Sequence, residues 1–125
     1  MSEEPAMNAE KAQQPPRLTV VATATDGIRV LTAAGEIDHD TVGPLRQALD
    51  VPGLPRPRIV IDMRRVTFMD STGINTLLLA HRAVTAADGW LRLAAPADNV
   101  VRLLRIVGVD SVIDCHDTLR QALTP

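Results

Sequence analysis

Apolar and polar residues in the first part of the chain follow a pattern that predicts a β-hairpin. The stretch 17–25 is rich in Val and Thr, which favour strands, and the segment 28–34 has the same character. Between them stands Asp26-Gly27, a dipeptide suited to the backbone conformation of a tight two-residue turn. The sequence therefore predicts two antiparallel strands here, followed by a loop over residues 35–40.

In the rest of the chain, short apolar runs alternate with segments whose apolar residues have helical spacing. This pattern predicts a parallel sheet. The run Ile59-Val60-Ile61, within a strand at 58–62, is typical of a central strand that is covered on both faces. Further strands are predicted at 91–95 and 112–115. Helices are predicted from near Thr41, over 73–87 with a start near Thr72 or Gly73, from Pro96 to a stop at Gly108, and from an Asp117 cap to Leu123.

This alternation of strands and helices predicts an α/β fold. We expect a mixed, mostly parallel sheet of four to five strands, packed against about four helices. The 125 residues suffice for one domain, which we place at 17–125, behind a polar N-terminal tail of residues 1–16 that we expect to be disordered.

The composition excludes several classes of function. Phe and Trp occur once each, Tyr is absent and the net charge is -2, so we expect no direct binding to nucleic acid. The single cysteine, Cys115, excludes an internal disulfide. No apolar run is long enough to span a membrane. We therefore expect a cytoplasmic protein that does not bind membranes.

The segment Phe68–Gly73 is the first candidate for function. It lies between the predicted central strand and a helix, where open α/β sheets place functional groups. Ser71 and Thr72 are both candidates for the N-cap of that helix. Thr72, which is nearer to Gly73, is expected to cap the helix, and Ser71 is expected to project outward.

The segment 35–41 is the second candidate, because three carboxylates and the His39 imidazole lie close together in it. Its spacing does not match that of a metal site, so no metal or cofactor is expected. Asp40 or Thr41 is expected to cap the next helix, and Asp38 to present a solvated carboxylate. Nucleophile and phosphate-loop motifs of enzymes are missing, so we expect no catalytic residues and no enzyme activity.

The four motifs taken together resemble the STAS domain of bacterial anti-sigma factor antagonists. They are Gly35-Glu36-Ile37-Asp38, Ile59-Val60-Ile61-Asp62, Phe68-Met69-Asp70-Ser71-Thr72-Gly73-Ile74, and Arg102-Leu103-Leu104 with Ile106, Gly108 and Val109. The resemblance covers residues 17–123. One position departs from the family, because Asn75 stands where a glycine is common.

The resemblance implies a switch. Ser71, directly after the motif aspartate, would accept phosphate from a serine kinase that is also an anti-sigma factor, with Thr72 the less favoured acceptor. The unphosphorylated chain would bind that kinase and release a sigma factor, so regulating transcription, and a metal-dependent serine phosphatase would restore the active form. The implied partner-binding residues are Asp38, Asp70, Ser71, Thr72, Gly73 and Asn75.

Two other functions are compatible with the same residues. In a constitutive STAS adaptor of a transport or stress-sensing complex, the segment around Ser71 would be a docking surface and would never be phosphorylated. In a hydrolytic enzyme, Asp38, His39 and Asp70 would form the active site, which predicts metal dependence. The sequence leaves open whether the chain forms a homodimer.

Overall fold

A five-stranded mixed sheet forms the centre of the structure, a computed structural model that describes residues 16–50 and 53–124. The strands lie in the order of the chain: β1 (Leu18–Thr25), β2 (Ile28–Ile37), β3 (Arg58–Met69), β4 (Trp90–Ala94) and β5 (Asp114–His116). The pair β1–β2 is antiparallel and the other three pairs are parallel. The predicted mixed α/β sheet is confirmed. Residues 1–15 of the predicted tail lie outside the described residues.

Within residues 16–50 and 53–124, four helices and one short 3₁₀ turn lie between or after the strands. They are α1 (Gly43–Leu49), α2 (Ser71–Ala86), α3 (Asp98–Ile106), the 3₁₀ turn (Val109–Ser111) and α4 (Leu119–Leu123). In the ranges that the structure describes, no helix is long and apolar enough to cross a bilayer.

The central strand β3 is buried on both faces, as its apolar run predicts. Ile59 and Ile61 join the larger core cluster, which α1, α2 and α3 cover. Val60, between them, points to the opposite face, where it packs with Ala122 and the neighbouring residues of α4. Alternate side chains of one strand therefore hold helices on the two faces of the sheet.

The hairpin turn is confirmed at Asp26-Gly27. Both residues have positive φ, 52° and 81°, as a type I′ turn requires. Thr25 and Ile28 are paired directly on either side of the turn.

Two strands are longer than predicted. The strand β2 continues to Ile37, so the predicted loop at 35–40 is wrong for its first three residues, and β3 continues seven residues beyond Asp62 to Met69. The register between β2 and β3 shifts twice, between Thr32 and Ala34 and between Gly35 and Glu36. At each shift β3 contains one extra residue, which is a β-bulge and breaks the alternation that marks a strand in a sequence.

The predicted caps of the first and last helices are wrong. Helix α1 begins at Gly43, and Val42, which precedes it, makes no side-chain cap. Helix α4 is capped by Thr118, whose hydroxyl accepts a hydrogen bond from the Gln121 N–H at 3.1 Å, and not by Asp117. Gln121 in turn accepts from the Asp117 N–H, so the two side chains satisfy backbone donors in both directions, much as in a capping box.

The remaining boundaries differ by one or two residues. Helix α3 begins at Asp98, two residues after Pro96, and it ends before the predicted stop at Gly108, which has a left-handed conformation with φ 80°. The last strand lies at Asp114–His116. Differences of this size are usual at the ends of elements, where backbone hydrogen bonds are incomplete.

Candidate functional site

The site is built where β2 and β3 end side by side. Ile37 and Met69, the last residues of these parallel strands, are paired, and the Asp70 N–H donates to the Ile37 carbonyl at 3.1 Å. Asp38 and Asp70 each follow directly. The two motif aspartates are therefore neighbours at the carboxyl edge of the sheet, although 32 positions separate them in the chain.

Asp70 is the N-cap of helix α2. Its backbone is extended, and its Oδ1 accepts a hydrogen bond from the Thr72 N–H at 2.8 Å. The prediction that Thr72 caps this helix is therefore wrong, and the helix begins at Ser71, one residue before the predicted start near Thr72 or Gly73. The strand runs up to Met69 and the helix begins at Ser71, so Asp70 is the one residue between them and takes the capping position.

Ser71 is the first residue of α2 and is exposed. The cap does not use its hydroxyl, since the Asp70 carboxylate already accepts the early helical N–H. Thr72 is half-buried, and its carbonyl accepts from the Thr76 hydroxyl at 2.8 Å. Ser71 projects outward as predicted, but this follows from its place as the first helical residue and not from capping by Thr72.

Gly73 is buried against the ends of both strands. A Cβ at this position would lie 2.6 Å from the Met69 Cγ and 2.9 Å from the Ile37 Cγ2, closer than packed carbon atoms approach. The absence of a side chain lets the first turn of α2 pack directly against the strand ends, and this packing sets the position of Ser71 relative to the sheet.

Asn75 is exposed on α2, four residues after Ser71. Residues spaced by four lie one above the other on a helix, so Asn75 and Ser71 share a face. Asn75 is the fifth helical residue and lies in the second turn of α2. Its side chain projects into solvent, so its bulk changes the surface beside Ser71 and not the packing beneath it.

Asp38 is held by several hydrogen bonds and is mostly buried, with 16% of its side chain exposed. Its Oδ1 accepts from the N–H groups of Asp40 and Thr41, at 2.9 and 3.1 Å, and its Oδ2 pairs with Arg17. The Thr41 hydroxyl receives the Asp38 N–H and donates to the Glu36 carbonyl. The expectation of a solvated, freely presented carboxylate is therefore wrong, because Asp38 organises the turn that follows β2.

The contacts of Asp38 also set its protonation. Burial alone raises the pKa of the carboxyl, but hydrogen bonds from the Asp40 and Thr41 N–H groups, together with the Arg17 guanidinium, outweigh burial. The pKa is thereby lowered below its ordinary value of 3.8. The folded state therefore favours the charged form of this carboxyl.

We expect the Asp38→Asn variant to be less stable than the wild type at neutral pH, by a margin that shrinks in acid. A carboxyl with a lowered pKa in the folded state stabilises the fold above its ordinary pKa, and this contribution is lost as the pH falls through the lowered value. Urea unfolding of both proteins between pH ~7 and ~3 measures the margin. A margin that stays constant over this range would contradict a role for the charged form.

Arg17 enters the site through its backbone as well as its side chain. Its carbonyl accepts from the Glu36 N–H at 2.8 Å, and its guanidinium also pairs with the Glu36 carboxylate at 3.0 Å. A Cβ on Gly35 would lie 2.0 Å from the same carbonyl oxygen, and Gly35 has a φ of 118°. The glycine of the Gly-Glu-Ile-Asp motif thus permits the close approach of the backbone at the start of β1 to the end of β2.

Comparison with known proteins identifies the family. The family model of the STAS domain matches residues 19–122. The chain belongs to the STAS domain family.

Relatives and solved structures extend the match over most of this STAS domain protein. It is 32% identical to the anti-sigma-B factor antagonist of Listeria monocytogenes over 91 residues, covering 72% of this chain and 79% of the relative. It is 28% identical over 111 residues to the anti-sigma-F factor antagonist RsfB of Mycobacterium tuberculosis, covering 88% and 90%. The crystal structure of an anti-sigma factor antagonist from Mycobacterium paratuberculosis has a TM-score of 0.76 at 27% identity, covering 88% and 94%.

The sequence did not reveal two residues that build the site of this STAS domain. Arg17 was read only as the start of a strand, and Thr41 as a helix cap, although both hold Asp38. An aspartate followed three residues later by threonine is a signal for such a turn. No three His, Cys, Asp or Glu side chains within the described ranges are grouped to hold a metal ion.

Proposed function

We propose that this STAS domain protein is an anti-sigma factor antagonist that is controlled by phosphorylation of Ser71. It binds an anti-sigma factor that is also a serine kinase, releases the sigma factor and thereby regulates transcription. A serine phosphatase restores the unphosphorylated, binding form. The names of the relatives, which match most of the chain, support the role of antagonist.

The observation that carries the proposal is the exposed Ser71 hydroxyl on the first residue of α2, beside a cap that does not need it. A kinase can reach this hydroxyl without opening the fold. The domain supplies only the acceptor, while nucleotide, magnesium and the groups that activate the hydroxyl belong to the kinase. The protein therefore acts by binding and not as an enzyme.

Phosphate on Ser71 is compatible with the folded state. A phosphoserine carries a charge of about -1.5 to -2 near neutral pH. At the first helical position this charge is close to the unpaired N–H groups and the positive end of the helix dipole, which stabilise anions. The Asp70 cap is made by another side chain and stays in place. Phosphorylation therefore changes the surface and leaves the helix intact.

The same charge blocks the partner. We propose a docking surface whose exposed centre is Ser71 and Asn75, with Thr72 beside them. Asp70 and Gly73 hold the first turn of α2 in position, and Asp38 holds the neighbouring turn after β2. A dianion at this centre must lose water when a protein covers it, and that costs several kcal/mol unless a cation is supplied. Phosphorylation therefore prevents binding without unfolding the domain.

The test is incubation with candidate anti-sigma factor kinases of the same genome and ATP, followed by phosphopeptide mapping. We expect one phosphate, on Ser71, and loss of kinase binding after its addition. Ser71→Ala should fold, bind the kinase and resist phosphorylation, whereas Ser71→Asp should fold and bind more weakly. Thr72→Ala is the matched control and should still be phosphorylated.

Other outcomes separate the alternatives. Phosphate on Thr72, or stoichiometric phosphorylation of Ser71→Ala, would contradict the assigned acceptor. A partner from native lysate that binds wild type and Ser71→Asp equally, with no phosphate on the native protein, would favour the constitutive adaptor. Reproducible hydrolytic turnover by the purified chain that is lost in Ser71→Ala would favour an enzyme.

A further inference from the structure

The edge strand β1 is unusually open. It lies at one end of the sheet, and six of its eight residues are exposed. Its sequence, LTVVATAT, has no charged residue and no proline, and it is rich in β-branched side chains. Val21, at the middle of the strand, has 57% of its surface exposed.

Such an edge lacks the features that keep edge strands from pairing. Natural edges are protected by lysine, proline, bulges or shortness. Here the pairing of β1 with β2 is regular over all eight residues, and the charges stand outside the strand, Arg17 before it and Asp26 after it. An uncharged edge of this length is suited to receive another strand.

The pairing of β1 with β2 shows which backbone N–H and C=O groups of β1 are free to bond with another strand. Thr25 and Ile28 close a two-residue turn, so the N–H and C=O groups of odd-numbered residues point to β2. The bond from the Glu36 N–H to the Arg17 carbonyl agrees with this assignment. The N–H and C=O groups of the even-numbered residues Leu18, Val20, Ala22 and Ala24 therefore point to the open edge.

We propose that the β1 edge pairs antiparallel with the β1 edge of a second copy of this chain. With the twofold axis at Val21, Val20 of one copy lies opposite Ala22 of the other, and both residues direct their free backbone groups across the interface. The two Val21 side chains meet on the axis in a non-hydrogen-bonded pair, where side chains are closest. The result is a continuous sheet of ten strands with a self-complementary interface.

Charge favours this antiparallel arrangement. Arg17 precedes β1 and Asp26 follows it, so antiparallel pairing brings the cationic end of each strand to the anionic end of the other. Parallel pairing would place like charges together at both ends. The Thr19 and Thr23 side chains, on the exposed face with Val21, also lie opposite one another, and threonine pairs across strands are favourable.

The proposed dimer leaves the Ser71 surface free. Helix α2 packs on β3 and β4, which lie two and three places from the edge. A dimer through β1 would therefore present two Ser71 sites at once. Because this pairing depends only on β1, its failure would leave the proposed switch at Ser71 unaffected.

Sedimentation over a range of concentrations measures the association. We expect the full chain to shift with rising concentration from its monomer mass of 13.5 kDa to twice that mass. Val21→Lys places two ammonium groups together on the axis and should raise the dissociation constant of the dimer about tenfold or more. Leu79→Lys, at a side chain of α2 that is 62% exposed, is the matched control and should associate as wild type does.

Cross-linking tests the register. In a Cys115→Ser background, Val21→Cys should form an intermolecular disulfide readily, because non-hydrogen-bonded pairs bring the Cα atoms to about 4.5 Å. Thr25→Cys should not, because the two copies of this residue lie eight positions apart, about 27 Å along the strands.

A mass that stays monomeric at every soluble concentration would overturn the proposal. Association that Val21→Lys and Leu79→Lys leave equally strong, or a Thr25→Cys chain that cross-links as readily as Val21→Cys, would overturn it too. A dimer that appears only after removal of residues 1–15 would show that this segment covers the edge, and would also exclude the proposed dimer of the full chain.

Discussion

Replacing Gly35 with alanine is expected to destabilise the fold by about 3 kcal/mol or more, a large part of the stability of a domain of this size. The new Cβ would lie 2.0 Å from the Arg17 carbonyl oxygen, which is backbone and cannot rotate away. The φ of 118° adds strain for any residue with a side chain. The start of β1 must therefore separate from β2, and the Arg17–Asp38 ion pair is lost with it.

Gly43→Ala is the matched control for this variant. Gly43 is exposed at the start of α1, and a Cβ there would have nothing within 4 Å. We expect a change within about 0.5 kcal/mol, or a small gain, because alanine reduces the entropy of the unfolded chain. Urea unfolding gives both values. A Gly35→Ala protein with a wild-type midpoint would contradict the close approach of the Arg17 carbonyl to Gly35.

The second large effect is expected for Asp70→Ala, at about 1–3 kcal/mol. Removal of a capping side chain costs about 0.5–2 kcal/mol, and loss of a negative charge at a helix N-terminus adds about 0.3–1 kcal/mol. Because the cap fixes the first turn of α2, we also expect slower phosphorylation of Ser71 by its kinase, at temperatures where the variant is still folded.

Two substitutions separate the cap from the charge. Asp70→Asn keeps an oxygen that can accept from the Thr72 N–H, so it should retain most of the stability that alanine loses. Thr72→Ala removes a hydroxyl that does not cap the helix, and its effect should stay within about 0.5 kcal/mol. The opposite order, with Thr72→Ala costing more than Asp70→Ala, would contradict Asp70 as the cap.

The sequence predicted those elements whose local signals agree with their environment. Asp26-Gly27 specifies its turn through positive φ, which few other dipeptides tolerate. The run Ile59-Val60-Ile61 specifies a strand with two covered faces. In both cases the conformation that these residues prefer locally is the one that they adopt in the fold.

The second half of β3 could not be predicted in the same way. Beyond Asp62 its buried residues are Met63, Val66 and Met69, spaced by three, and the exposed residues between them include two arginines. A spacing of three is not a strand pattern. It results from the two bulges opposite β2, and these depend on partner residues that lie 30 to 32 positions earlier in the chain.

The helix caps show a second reason why sequence-based prediction was incomplete. Asp is as good an N-cap as Ser or Thr, yet only Ser71 and Thr72 were predicted as cap candidates, and closeness to Gly73 favoured the wrong residue. The choice of Asp70 follows from where β3 ends, which is itself set by pairing with β2. The role of Asp38 likewise depends on Arg17, whose nearness follows from the hairpin and not from the residues around Asp38.

The sequential order of the strands has a consequence for how the chain assembles during its synthesis. Each strand pairs with the one made just before it, so no later strand has to enter between two that are already joined. The hairpin β1–β2 can form in microseconds, while translation adds only about 5–20 residues per second. The sheet can therefore grow from one edge as the polypeptide leaves the ribosome. The direction of synthesis then gives the order in which β3, β4 and β5 are added, without any rearrangement of strands that are already paired.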